Sequence, residues 1–204
     1  MVIKHTSFVH KGGYYFYRIH QDKVEQLCSQ NLKHYLYDVF QNCPHQYFNE
    51  GPRSSHLKFN LSHTTTMLKN HEVCSLTLLG LEKNNLRFKT AHSKVQVFML
   101  ENDPSTIAVE LPVWFTPQEM EKYQSIFQTS APLTGHIDLV RMENNLTWIW
   151  DYKPHADKEK YATTQVYFYA LMLAQRTGMN LDQLRCGYFD ESVCYMFDPS
   201  KVQL

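Results

Sequence analysis

The chain has 204 residues, with 20 Lys plus Arg against 20 Asp plus Glu and 43% hydrophobic residues. That length and apolar share suit one domain with a packed core and exclude wholesale disorder. A net charge of zero excludes binding to nucleic acid through bulk positive charge, yet leaves room for a local basic groove.

No run approaches the roughly 18 apolar residues of a membrane helix. The first residues hold no apolar core followed by a small-residue cleavage site, so neither a secretory signal nor a membrane anchor is expected. Five cysteines (Cys28, Cys43, Cys74, Cys186 and Cys194) form no C-x-x-C pair. This speaks against a disulfide framework or a structural zinc site and for a reducing, cytoplasmic setting.

Residues 22–40 place Val24, Leu27, Cys28, Tyr35, Leu36 and Val39 at helical spacing and predict an amphipathic helix. Residues 41–60, with Pro44, Gly51 and Pro52, read as a loop. A helix is predicted over 63–80. Residues 86–100 fit a helix through Phe88, Ala91, Val95, Phe98 and Met99, while Val95, Val97 and Met99 also fit a strand; helix is preferred. Thr106–Trp114 is rich in β-formers and predicts a strand. Thr116, Pro117 and Glu119 supply a cap, a first helical residue and a capping-box partner, which predicts a helix to about Phe127. The segments HIDLV and LTWIWDYK flank a polar turn at Glu143-Asn144-Asn145 and predict a hairpin. A helix from about Lys158 to Thr177, closed by Gly178, and two strands near 184–189 and 193–197 complete a mixed α/β chain. Residues 1–60 are expected as a helical N-terminal extension and 61–204 as the main domain.

The chemistry concentrates between residues 135 and 169. Alternation along the second hairpin strand puts Asp151 and Lys153 on one side, opposite to Trp148, Trp150 and Tyr152. Charges at the end of an apolar strand are costly unless they pair or bind something. Asp138 lies in the preceding strand, where hairpin pairing brings it toward Asp151. Two neighbouring carboxylates repel, and a divalent cation relieves that repulsion. Gln165 and Tyr169 follow on a helix, four apart and hence on one face.

Three segments, Gly135-His136-Ile137-Asp138, Asp151-Tyr152-Lys153 and Gln165-Val166-Tyr167-Phe168-Tyr169, together resemble the PD-(D/E)XK nuclease superfamily. More narrowly they resemble its RecB-type branch, which includes the CRISPR-associated RecB-like exonucleases. Upstream, Glu110-Leu111-Pro112 resembles that branch's E-x-P strand, and Lys89-Thr90-Ala91-His92 resembles its histidine motif, for which His63 and His71 stay open as alternatives. Residues 1–60 match nothing in the family pattern.

The resemblance implies a restriction-endonuclease-like α/β fold, a mixed central β-sheet flanked by helices, with a helical N-terminal part. It implies a nuclease-like domain over 61–204. Asp138 and Asp151 would ligate Mg²⁺ or Mn²⁺ together with the backbone carbonyl of Tyr152, and His92 would be a further ligand. Lys153 would position water and stabilise the scissile phosphate. Gln165 and Tyr169 would organise the site and contact nucleic acid, with Glu110 supporting. The CRISPR-associated relatives carry four cysteines around an iron–sulfur cluster. Cys186 and Cys194 lie in the predicted last strands with no C-x-x-C beyond them, so no cluster is expected. The implied activity is metal-dependent hydrolysis of DNA, as an exonuclease on single strands or ends, in repair, recombination or defence, associated with the nucleoid and with a protein partner. The alternative is a non-catalytic nucleic-acid-binding or assembly protein that keeps the fold.

Overall fold

A computed structural model describes residues 2–204. The chain opens with an antiparallel hairpin of β1 (Ile3–His10) and β2 (Gly13–His20). Its turn residues Lys11 and Gly12 both have positive φ, 48° and 75°, the two-residue turn whose twist matches that of the strands. Phe8 and His10 of the first strand and Tyr17 and Ile19 of the second are buried. That period of two makes these strands, where a helical extension was expected. Helix is confined to α1 (Gln21–Leu27), α2 (Gln30–Asn42) and α3 (His45–Glu50) within the first 60 residues, apart from a short 3₁₀ turn at Ser54–His56.

The single helix predicted over 22–40 is cut at Cys28–Ser29, because the Ser29 hydroxyl accepts the Leu32 N–H and caps α2. α3 occupies part of the predicted loop. A three-residue strand, β3 (Thr66–Leu68), precedes α4 (Glu72–Lys83), so the helix predicted from 63 begins later, at its His71 cap. α5 (Ala91–Asn102) and β4 (Thr106–Trp114) follow. Thr116 and Glu119 build the predicted capping box, but the helix is divided into α6 (Pro117–Met120) and α7 (Gln124–Phe127) by a 3₁₀ turn. β5 (Thr134–Glu143) and β6 (Leu146–Tyr152) form the predicted hairpin, with Asn144 and Asn145 at φ 51° and 62°. α8 (Ala162–Thr177), β7 (Leu184–Phe189) and β8 (Cys194–Phe197) end the chain's main elements.

The strands make one mixed sheet in the order β1-β2-β4-β5-β6-β7-β8-β3. β6 and β7 are parallel with α8 as their crossover, and the other neighbours are antiparallel. Because β2 pairs with β4, the N-terminal hairpin extends the same sheet. One face carries a core of Leu36, Leu111, Ile137, Val140, Ile149 and Phe168 beneath α2 and α8. The other carries Val73, Val95, Met99, Val109, Leu139 and Trp150 beneath α4 and α5. Tyr35 pins α2 to the sheet by donating to the Pro112 carbonyl at 2.6 Å.

Candidate active site

The sheet forks between β5 and β6. The two strands pair from Glu143↔Leu146 to Leu139↔Trp150. Beyond that point β5 stays with β4 as far as Thr134, while β6 stays with β7 as far as Tyr152. Asp138 and Asp151 are the first residues past the last shared pair. The Asp138 carboxylate fills the place of a strand partner: its Oδ2 accepts the Tyr152 backbone N–H at 2.8 Å.

The alternation of side chains also slips here. Ile137 and Val140, three apart, share one core while Leu139 belongs to the other; Ala108, Leu111 and Val109 behave likewise in β4. Strict alternation would place residues three apart on opposite faces. The slip in β4 falls at Glu110, which has φ 55°. A left-handed backbone at a non-glycine residue inside a strand costs on the order of 1–3 kcal/mol, and such strain clusters at functional sites. It aims the Glu110 carboxylate toward α5, where Gln96 Nε2 donates both to Glu110 Oε1 (2.7 Å) and to Asp138 Oδ1 (3.0 Å).

Helices close the fork from both sides. α5 brings His92, whose Nε2 stands 3.7 Å from Asp138 Oδ2. α8 brings Gln165, which donates to Asp151 Oδ1 (3.3 Å) and to the Tyr169 hydroxyl (2.7 Å). Lys153 Nζ lies 2.7 Å from Asp151 Oδ2. That ion pair is off the hydrogen-bond direction, so this buried oxygen has no aligned donor. Gly135 is required by packing: a Cβ there would stand 2.2 Å from Cε1 of the Tyr169 ring.

The electrostatics are those of crowded acids. Burial, with Asp138 alongside, pushes the Glu110 carboxyl up to about 8. Burial and the Asp151 charge push Asp138 up to about 6. Burial alone would lower Lys153, but Asp151 and Asp138 outweigh it and hold the ammonium above its ordinary value. One lysine and a half-exposed histidine therefore face three carboxylates. Hard oxygen donors gathered with too little positive charge are what Mg²⁺ and Mn²⁺ select, so the residues present fit such an ion.

These groups line one cleft of about 320 Å³, which contains His92, Glu110, Asp138, Asp151, Lys153, Gln165 and Tyr169. His63 and His71 do not line it. His63 Nδ1 meets the Leu61 carbonyl and its ring lies edge-on to Phe197; His71 caps α4 and lies beside Trp150. The cleft also includes Tyr15, Arg53, Ser55, Thr90 and His136, none of which was a predicted site residue. Arg53 donates to the Tyr15 hydroxyl and, at 3.0 Å, to the His10 carbonyl. It brings a guanidinium to the wall otherwise built by neutral groups. Gln96 had a signal in the sequence, since it lies four residues beyond His92 on the same helix face.

A sheet forked over paired carboxylates and a lysine, with helices on both faces, is an arrangement suited to a divalent-metal site. The model of the PD-(D/E)XK nuclease superfamily matches residues 16–202, and the chain belongs to that superfamily. Its members are generally metal-dependent nucleases, which implies DNA as substrate and a divalent metal such as Mg²⁺. The match reaches back into β2, so it includes most of residues 1–60, which carry none of the family's motifs. The chain finds no match among curated proteins or solved structures. No helix among the described residues is long and apolar enough to cross a membrane.

Proposed function

We propose that this cleft hydrolyses DNA backbone phosphodiesters, as an exonuclease acting on single strands or DNA ends. The observation that carries the reading is the fork itself, which gathers Glu110, Asp138 and Asp151 around one space and aims Lys153 into it. Asp138 and Asp151 would hold the divalent ion. An extended residue directs its N–H and C=O to the same side, so the Tyr152 carbonyl faces the fork along with its N–H and suits a third ligand. His92 adds a nitrogen that favours Mn²⁺. When bound, the ion lowers the pKa of water and offsets charge on the phosphate.

The chain's own groups do the rest. Lys153, kept protonated by Asp151, presents its ammonium to the attacked phosphate and orients water. Gln165 fixes Asp151 and Tyr169 together. Arg53 offers two donors to a neighbouring phosphate, a match to guanidinium geometry.

Two features of the walls support a preference for single strands or ends. The cleft, of about 320 Å³, is at the small end of ligand pockets and suits one backbone unit at its floor. A second groove adjoins it, sharing His92 and Glu110 and lined by Tyr14, Phe16 and Arg18. Tyr14 and Phe16 are exposed large aromatics on β2. Exposed rings beside a guanidinium are the parts on which unpaired bases stack. Together with the Gln165–Tyr169 pair, these features favour the RecB-type branch and an intracellular role on DNA ends in repair, recombination or defence.

The test is cleavage of end-labelled linear and circular single-stranded DNA with Mg²⁺, Mn²⁺ or EDTA. Metal-dependent digestion of linear DNA, sparing of circles and loss in Asp151→Asn are expected. Cutting of circles would overturn end dependence. DNA binding without hydrolysis in any metal would overturn the enzyme and leave a binding protein that keeps the fold.

A further inference from the structure

A second side-chain cluster lies outside the carboxylate fork. His10 ends β1, while Cys43 and His45 flank Pro44 between α2 and α3. One ligand atom from each of His10, Cys43 and His45 lies within 4.8 Å of the other two. His10 Nε2 and His45 Nδ1 are 2.9 Å apart. His10 and Cys43 are buried, and His45 is exposed.

We propose that His10 Nε2, Cys43 Sγ and His45 Nδ1 form a binding site for zinc, with a fourth position open to water at the His45 side. Tetrahedral zinc with bonds of about 2.0–2.1 Å to nitrogen and about 2.3 Å to sulfur keeps its ligand atoms roughly 3.3–3.6 Å apart. The observed trio reaches that spacing by small side-chain rotations. Soft sulfur and imidazole donors distinguish this site from the oxygen-rich fork, so the two select different ions.

The surroundings set the needed tautomer. His10 Nδ1 lies 2.9 Å from His136 Nε2. With the proton on His10 Nδ1 and donated to His136, the lone pair of His10 Nε2 points toward His45 and Cys43. A ligating histidine normally anchors its other nitrogen in this way. His45 is at the surface and moves its own proton to Nε2 through water. Cys43 loses its thiol proton to solvent on binding, as metal thiolates require.

The consequence is mechanical. The ion would tie the end of the first strand to the α2–α3 junction, across more than 30 residues of chain. It would also hold His10 against His136, which lines the cleft and stacks on Tyr15 with ring centroids 3.8 Å apart. The pattern escapes sequence motifs because Cys43-Pro44-His45 is not C-x-x-C and its third ligand is far upstream.

The test uses the full chain carrying Asp138→Asn and Asp151→Asn, which disables the oxygen site. Titration with Co²⁺ should give one equivalent with a thiolate-to-metal charge-transfer band. Cys43→Ala should abolish that band, whereas Cys74→Ala, in the thiol pair with Cys194, should leave it. His45→Ala alters an exposed side chain. It should weaken Zn²⁺ binding by on the order of 100-fold or more, while circular dichroism stays native. Absence of the band in the parent chain, its persistence in Cys43→Ala, or unchanged zinc affinity in His45→Ala would each overturn the site. These readouts do not involve cleavage, so they fail separately from the nuclease reading.

Discussion

Asp138 and Tyr152 hold the fork open: the Asp138 carboxylate accepts the Tyr152 N–H at 2.8 Å where β5 and β6 part. One side chain thereby fixes the backbone that carries Asp151 and Lys153 on either side of Tyr152. Asp138→Asn keeps an oxygen for that N–H and removes the charge. It should abolish Mg²⁺- or Mn²⁺-dependent cleavage with the fold intact. Asp138→Ala removes the acceptor too, and a buried donor left unpaired costs about 1–3 kcal/mol. Urea unfolding of the two metal-free variants should show Ala less stable than Asn by that amount. Equal stabilities would show that the hydrogen bond contributes nothing.

Above the titration range of the buried histidines, the metal-free protein should lose stability as pH rises. Asp138 is raised to about 6 and Glu110 to about 8, so the folded state binds protons more tightly than the unfolded chain. Each raised carboxyl contributes fully below its ordinary value near 4, and that contribution is lost as pH rises through the folded pKa. A shift from 3.8 to about 6 corresponds to roughly 3 kcal/mol. Below about pH 6.5 the buried, neutral His10 and His136 oppose this trend, so melting temperature in EDTA should fall between about pH 6.5 and 8, where Glu110 ionises. Glu110→Gln should flatten the upper part of that fall, and saturating Mn²⁺ should reverse it by favouring the ionised forms. A melting temperature that rises over this range would contradict the crowding of the three acids.

Gly135→Ala should destabilise the protein severely, because its Cβ would overlap the Tyr169 ring at 2.2 Å. Tyr169 is buried, so the ring cannot swing away, and overpacking typically costs about 1–3 kcal/mol or more. Tyr169→Ala alone also destabilises by leaving a cavity. Placed together, the two changes should cost less than their sum, since the ring that the added methyl would strike is gone. Strict additivity in a double-mutant cycle would refute the contact.

What the sequence made legible was local. Asp138, Asp151 and Lys153 stand out because charge inside an apolar strand demands a partner. Asn144-Asn145 announces its turn, and Gly178 its helix end. The N-terminal hairpin was not legible: its turn is Lys11-Gly12, and its strands are defined by pairing with β4 some 90 residues away. Arg53, Tyr15 and His136 join the cleft for the same reason, through contacts between distant segments. Glu110 was visible as part of E-x-P, but its left-handed backbone and its bridge through Gln96 to Asp138 exist only in three dimensions.

Lys153 and Arg53 are both cationic and both line the cleft, but they should fail in different ways. Lys153 Nζ sits 2.7 Å from Asp151, at the place where hydrolysis would occur. Lys153→Ala should abolish turnover while leaving DNA affinity nearly unchanged, because charge that acts mainly in the transition state does not contribute to ground-state binding. Its removal also leaves Asp151 without its cation, so thermal unfolding is the control: a large drop in stability would make lost activity uninformative. Arg53 is bonded instead to the Tyr15 hydroxyl and to the His10 carbonyl. Arg53→Ala should weaken DNA binding across all sequences and reduce the slope of log affinity against log salt by about one phosphate contact, close to ~0.7 for a single strand. Cleavage at saturating DNA should then stay near the parent rate. If Lys153→Ala weakens binding with a shallower salt slope yet retains turnover, Lys153 is a phosphate contact and the water-positioning role falls to another group.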